Sequence, residues 1–514
     1  MPGLKHRLES APARAAGALL SGCLLALAGG LHPSWWAAWF ASVPVLVVAY
    51  RSSGRAAWSL GLLAGLTGEV SSFDYYATVA TIPTALVITA LKAALFAGGV
   101  RLAWGARGRL SAGLALFAFP SWFAAFDTLI ATFSANGTAG SLAYSQMDRP
   151  PVLQIASLFG APAVTFVVCL ASSALAHGMA PLPAPRRLLV SVSPALAIIA
   201  AAVGFGIWRT EAAPAEPTIL VALAALDPER PLPADWRASL EAYRPLLAQA
   251  GARHARLMVL PEEIALVSGD ELGSIRTELG GFARDSAMEL AVGFRVTEGG
   301  TLRNLLLLFT RDGRVLTYDK QHLVPGIEMP KITPGRNPPM IAEVDGHRLG
   351  GAICKDFDFV DVGRSLSLGR AGLVVAPAWD FGQDAWLHGR MAMLRAVEGG
   401  FTLVRSAREG SMTVSDRLGR VLAEVRSGPA APLLLAEAPL PASQPTVYAR
   451  ARDVFGWACV GMVLLFLLHR VTKNLSPELS PGGACSAERL GGRTAGTGDS
   501  GTKSPANPEG SRGR

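Results

Sequence analysis

The chain has 514 residues, half of them hydrophobic and 17% charged, with a formal charge of +8. Its mean hydropathy of +0.34 excludes an ordinary water-soluble globule. The basic excess lacks the aromatic interleaving of a nucleic-acid surface, and the eight histidines show no metal-ligand spacing, so neither a nucleic-acid partner nor a metal or other cofactor is expected.

Taken in chain order, apolar runs able to cross a hydrocarbon core fall near residues 16–31, 35–50, 56–72, 83–104, 110–132, 155–178, 188–208 and 454–470, which predicts a membrane bundle of about eight helices. The first run follows Lys5, Arg7 and Arg14 as a secretory signal would. "LAGGLHPSWW" nevertheless continues into further apolar sequence, so the run reads as an uncleaved helix. Arg51 and Arg55, then Arg101, Arg107 and Arg109, then Arg186 and Arg187, and finally Arg470 and Lys473 fall on one side of an eight-span path. Short cytoplasmic loops retain Lys and Arg, which makes that side cytoplasmic; Arg450 and Arg452 oppose this mildly. Trp35, Trp36, Trp39, Tyr75 and Tyr76 read as interfacial anchors. The expected division is a cytoplasmic N-terminus over 1–15, seven spans within 16–211, an external domain over 212–450, a last helix over 451–471, and a cytoplasmic tail over 472–514. That tail is too rich in Ser, Gly and Pro to bury a core, so it is expected to be disordered.

Within the external segment, β-rich and helical stretches alternate. "TILVALAAL" predicts a strand, "WRASLEAYRPLLAQAGAR" an amphipathic helix, and "RLMVL" a strand ending at "PEE". "LAVGFRV", "RNLLLLFT" and "VLTYDK" predict consecutive strands, with a turn at "RDGR". "RLGGAIC" predicts a strand, 360–370 a helix, "AGLVVAPAW" a strand, and "AWLHGRMAMLRAVEGG" a helix. "FTLVRSA", "SMTVSD" and "VLAEV" close an α/β domain.

Glu262, Lys320 and Cys354 stand at carboxyl ends of these strands, where sites in α/β domains gather. Of the five cysteines, Cys354 alone lies in the external domain. It is either an inert buried side chain or a nucleophile. A thiol nucleophile needs a base to take its proton or a cation to lower its pKa, and Glu262 and Lys320 can supply these. Glu263 is the competing base. Trp379, Asp380 and His388 follow the strand "AGLVVAPAW", either as part of a substrate pocket or as packing.

"LPEE" at Glu262, "YDKQHLVPGIEMP" at Lys320 and "ICKDFDF" at Cys354 resemble the Glu, Lys and Cys motifs of the nitrilase or carbon–nitrogen hydrolase superfamily. "GSLAYSQMDRPPVLQIASLFGAPAVTFVV" and "TVYARARDVFGW" are similar to segments of the apolipoprotein N-acyltransferases. The resemblance implies a periplasmic, nitrilase-like α-β-β-α sandwich on a membrane bundle of the bacterial inner membrane. It implies acyl transfer from a membrane phospholipid, with phosphatidylethanolamine the expected donor, through a Cys354 thioester to the amino group of an apolipoprotein's diacylglyceryl-cysteine. In those roles Glu262 matches the general base, which favours it over Glu263. Lys320 matches the oxyanion-stabilising lysine and Glu328 the glutamate that holds it; Trp236 matches a tryptophan near the site, and Glu398 a supporting position. After the nucleophile, Lys355 and Asp356 depart from the family's usual Tyr-Glu. Two other readings remain at this stage: a membrane-tethered amidase using the same triad with water as acceptor, and a catalytically silent scaffold.

Overall fold

A computed structural model of the protein describes residues 10–179, 185–226, 235–430, 432–442 and 444–475. Most of the expected cytoplasmic N-terminus and the tail beyond 475 lie outside the described residues.

The membrane part comprises α1 (Ala11–Ala28), α2 (Trp35–Phe40), α3 (Val43–Ala49), α4 (Gly54–Gly68), α5 (Val70–Val79), α6 (Ile82–Arg107), α7 (Ala118–Phe133), α8 (Ala161–Met179) and α9 (Pro185–Glu211). Among the described residues, five helical stretches are long and apolar enough to cross a membrane: Ala11–Ala28, Ile82–Arg107, Ala112–Phe133, Ala161–Met179 and Val192–Glu211. The run expected over 35–50 divides into α2 and α3, because Pro44 cannot supply an intrahelical N–H and must open a new helix. The run expected over 155–178 is interrupted: a short helix over Ala156–Phe159 ends at Gly160, φ +77°, before α8 begins at Ala161. Helices α4 and α6 approach closely where Gly61 and Gly65 face Ala97 and Ala93. A Cβ on either glycine would lie 2.8 or 2.7 Å from the opposing Cα, the small-residue contact by which membrane helices pack.

The external part contains β1 (Thr218–Ala224), α10 (Trp236–Ala252), β2 (Leu257–Val259), β3 (Leu266–Ser268), α11 (Leu272–Asp285), β4 (Glu289–Glu298), β5 (Thr301–Phe309), β6 (Val315–Asp319), β7 (Met340–Val344) and β8 (His347–Gly351). It continues through α12 (Val360–Leu368), β9 (Leu373–Trp379), α13 (Ala385–Gly399), β10 (Thr402–Arg408), β11 (Ser411–Ser415), β12 (Val421–Arg426) and β13 (Leu433–Pro439) to α14 (Val454–Leu475). One sheet runs β13-β1-β2-β4-β5-β6 with β3 beside β4; the other runs β12-β11-β10-β9-β8-β7.

Alternation along the strands builds the layers. In β4 and β5, Leu290, Val292, Phe294, Leu305, Leu307 and Phe309 pack under α10 and α11 with Leu240, Leu247, Ile275 and Leu279. The intervening Ala291, Leu306 and Leu308 face the other sheet, meeting Val375, Val404 and Val414. Two-residue periodicity thus gives each strand of the first sheet one helical and one sheet neighbour. Met391, Leu394 and Val397 of α13 and Leu366 of α12 extend the second sheet's core, making an α-β-β-α sandwich. The same cluster includes Tyr144, Leu153, Ala161 and Val164, so the domain's apolar interior continues into the start of membrane helix α8.

Candidate active site

Glu262, Lys320 and Glu328 form one buried ionic cluster. Lys320 follows β6, and its Nζ donates to Glu262 Oε1 at 2.7 Å and to Glu328 Oε1 at 2.8 Å. Asn304 of β5 donates its Nδ2 to Glu262 Oε1 at 2.7 Å, while Glu328 Oε2 accepts the Val324 N–H at 2.7 Å. The Lys320 backbone N–H donates to the Asn304 carbonyl at 2.9 Å. Burial alone would lower the Lys320 pKa, but the charges of Glu262 and Glu328 outweigh it and hold it well above the usual lysine range. The carboxylate oxygens of Glu262, Glu263 and Glu328 lie within 4.8 Å of one another, the spacing of a cation site. The Lys320 ammonium already supplies positive charge to two of them.

The two adjacent glutamates divide. Glu263, at φ +51°, turns to an ion pair with Arg295, and burial followed by the charge of Glu262 pushes its pKa up to about 7. Glu262 alone reaches Lys320. Its backbone lies against Gly293 of β4, where an added Cβ would meet Glu262 Cα at 2.6 Å and Pro261 O at 2.7 Å. Glycine is required there by close approach.

Cys354 stands beyond the strand expected to carry it. β8 ends at Gly351, and Cys354 opens a 3-10 turn over Cys354–Asp358 with φ +42°. This elbow projects the thiol toward the end of β9, where Sγ donates to the Trp379 carbonyl at 3.6 Å. Asp356 fixes the elbow: it accepts from the backbone N–H groups of Ile353, Gln321 and His322 at 3.1, 3.1 and 2.8 Å and from Tyr318 Oη at 2.9 Å. Those bonds join the Cys354 turn to the loop that follows Lys320. Burial raises the Asp356 pKa to about 6 against these donors. Burial and the charge of Glu262 likewise raise the Cys354 thiol well above its usual range, with Lys320 pulling the other way. The resting side chain is therefore a neutral thiol beside a base and a cation.

Lys355, which would face away from Cys354 on a regular strand, instead follows the elbow's turn. Its Nζ donates to Asp358 Oδ2 at 3.3 Å and to Asn136 Oδ1 of the membrane part at 3.1 Å. His388 bridges two carboxylates, with Nε2 at 3.2 Å from Asp384 and Nδ1 at 3.7 Å from Asp358. Burial works against its charge, but the two carboxylates prevail and raise its pKa to about 10. Tyr75 of α5, expected as an interfacial anchor, donates to Asp384 at 2.7 Å.

The remaining expected residues have separate surroundings. Trp379 contributes its carbonyl to Cys354, while its indole N–H donates to Glu409 at 3.1 Å. Trp236 is buried in the helical layer over the first sheet beneath the Arg237 guanidinium. Among the described residues no hydrogen bond or ion pair joins it to the Lys320 cluster. Glu398 pairs with Arg395 at 2.8 Å and accepts the Ala161 N–H at 2.8 Å, so it joins α13 to the start of α8. Sequence reasoning passed over Asn304, whose signal was a lone amide in the run "RNLLLLF". It also passed over Arg405, which pairs with the buried Asp380 at 2.5 Å, so that both charges act on Cys354.

Comparison with known proteins gives two family matches: the apolipoprotein N-acyltransferase N-terminal domain over residues 21–174 and the carbon-nitrogen hydrolase domain over residues 200–439. An apolipoprotein N-acyltransferase from Geobacter metallireducens is 27% identical over 86% of this chain and 92% of its own length. One from Bradyrhizobium diazoefficiens is 29% identical over 64% of this chain and 69% of its own. A solved amidase from Nesterenkonia sp. is 25% identical, covers 46% of this chain and 94% of its own, and aligns with a TM-score of 0.40.

Proposed function

We propose that this chain is an apolipoprotein N-acyltransferase of the carbon–nitrogen hydrolase superfamily, in which Cys354, Glu262 and Lys320 carry the acyl transfer. The protein is an acyltransferase that N-acylates lipoproteins with acyl chains from membrane phospholipid. The observation that carries the residue assignment is the buried Glu262–Lys320–Glu328 cluster beside a neutral thiol on a positive-φ elbow.

The chemistry follows from those protonation states. Glu262 accepts the Cys354 proton as sulfur attacks the phospholipid ester carbonyl, and the Lys320 ammonium stabilises the oxyanion that forms. Collapse breaks the ester C–O bond; Glu262 returns the proton to the leaving oxygen, releasing a lysophospholipid and leaving a Cys354 thioester. The α-amine of the diacylglyceryl-cysteine then attacks the thioester, Glu262 takes the amine proton, and the departing sulfur regains it as the thiol. Glu328 keeps Lys320 charged and aimed through both halves.

In this proposal the chain crosses the bacterial inner membrane eight times, with α2–α3, α4 and α14 adding to the five long helices. The division is 16–211 for seven spans, 212–450 for a periplasmic catalytic domain and 451–471 for the last helix, with phosphatidylethanolamine as donor. The test is the intact mass of detergent-purified protein after incubation with phosphatidylethanolamine of defined chains and no acceptor. The expected result is a fatty-acyl increment that hydroxylamine removes and Cys354→Ala lacks. An increment that persists in Cys354→Ala refutes the nucleophile assignment.

A further inference from the structure

Away from the catalytic cluster, a cavity of about 620 Å³ opens where the catalytic domain meets the ends of the membrane helices. One wall is the end of α9 with Phe205, Trp208 and Arg209; the other is formed by the chain entering and leaving the domain and by the β11–β12 turn, which carries Arg417. Its size and its position at a junction between parts of the fold are those of a ligand site.

One glutamine ties Arg209 to the turn that carries Arg417. Gln154, fully buried, accepts from Arg209 Nη1 at 2.6 Å and donates Nε2 to the Leu418 carbonyl at 2.8 Å, so it joins α9 to the turn beside Arg417. Arg417 donates Nε to Glu216 Oε1 at 2.5 Å, and Asp416, whose charge also acts on Arg209, pairs with Arg420, so Arg209, Arg417 and Arg420 exceed the two carboxylates by one charge. The guanidinium groups are near enough to act on each other, and an anion between them relieves that repulsion. The adjoining wall is apolar: the Phe205 and Trp208 rings lie 6.0 Å apart, and Trp208 is 63% exposed. α9 carries a stretch able to cross a membrane and ends within the cavity wall. In a bilayer crossed by this stretch, arginines at its end would stand at the level of phosphate headgroups, with the aromatic side chains toward the acyl region.

We propose that this cavity binds an anionic glycerophospholipid at a second site distinct from the acyl-transfer centre, its phosphodiester held by Arg209 and Arg417 and its acyl chain against Phe205 and Trp208. The inference rests on α9 meeting the bilayer and not on the chemistry at Cys354.

The test uses full-length protein carrying Cys354→Ala, so that no acyl chain is consumed, purified with phosphatidylglycerol and read by native mass spectrometry with and without Arg209→Gln and Arg417→Gln. The expected result is loss of one retained phosphatidylglycerol per chain and affinity weaker by at least about tenfold. Thioester formation should remain at the wild-type level when the same two changes are made with Cys354 intact. Unchanged lipid retention overturns the proposal. Loss of thioester formation in folded protein would make the cavity part of the donor route and overturn its separateness. Inorganic phosphate that binds at the arginines and displaces no lipid would show a free-anion site and also overturn it. If the double variant fails to fold, Trp208→Ala decides: it should lower lipid retention and leave phosphate binding unchanged, and full retention refutes the acyl wall. Should wild-type protein form no thioester at all, the acyl-transfer assignment falls while the lipid count still judges this site.

Discussion

At the scale of single residues, adjacent glutamates separate by what each touches. Glu262→Gln should lower thioester formation by about 10²- to 10⁴-fold, whereas Glu263→Gln, which loosens a partner of Arg295, should stay within about tenfold; the acyl-enzyme mass increment measures both. Equal losses would mean the base was misassigned. His388 supplies a pH signature. Folded protein keeps its imidazolium to about pH 10, against the ordinary value of 6.5. The stabilisation is complete below about pH 6.5 and is lost as the pH rises toward 10. The thermal unfolding midpoint should fall over that interval, and fall less steeply in His388→Gln. The three proposed reacting groups stand out in the sequence because each ends a hydrophobic run and the three differ in chemistry. Apart from Glu328, their supports do not. Asn304 and Asp356 act on groups 42 and 34 to 38 residues away, and such partners depend on how strands pair, which no local pattern encodes.

At the scale of elements, long strands and helices with strong alternation emerge where the sequence predicts them, as β4, β5, α10 and α13 do. β3, β7, β13 and the helix α11 were passed over. β3 has three residues, too few for a period to register, while β7 (MIAEV) and β13 (LLLAEAP) carry glutamate within short apolar runs. "RLGGAIC" read as a strand through its cysteine because its composition is strand-like to the end. The left-handed turn at Cys354 instead depends on bonds accepted by Asp356. The Glu262 loop depends on space at Gly293 in the same way. Gly293→Ala puts a methyl against backbone atoms of three residues, Pro261, Glu262 and Glu263. It should destabilise by about 1 to 3 kcal/mol and, by displacing the base, cut thioester formation by about 10²-fold. Normal thioester formation in this variant would show that the loop can shift without moving the carboxylate.

At the scale of the molecule, the catalytic elbow is completed by the membrane part. Thr138 donates both its backbone N–H and its hydroxyl to the Asp358 carbonyl, at 2.9 and 2.8 Å, and Asn136 accepts from Lys355. Residues 212–450 produced alone should therefore form no thioester even with a water-soluble short-chain ester, while full-length protein should; a thioester in the excised domain would show that the elbow needs no such support. The sequence made the membrane and catalytic parts separately visible but not their joint, because nothing in "ATFSANGTAG" announces a partner more than 200 residues later. That joint bears on the order of biosynthesis. A ribosome releases residues 136–138 long before Cys354, so half of the elbow's support waits in place while the rest is made. The Cys354 turn therefore takes its place against a surface synthesised earlier, so the thiol's geometry depends on the docking of two parts made at different times.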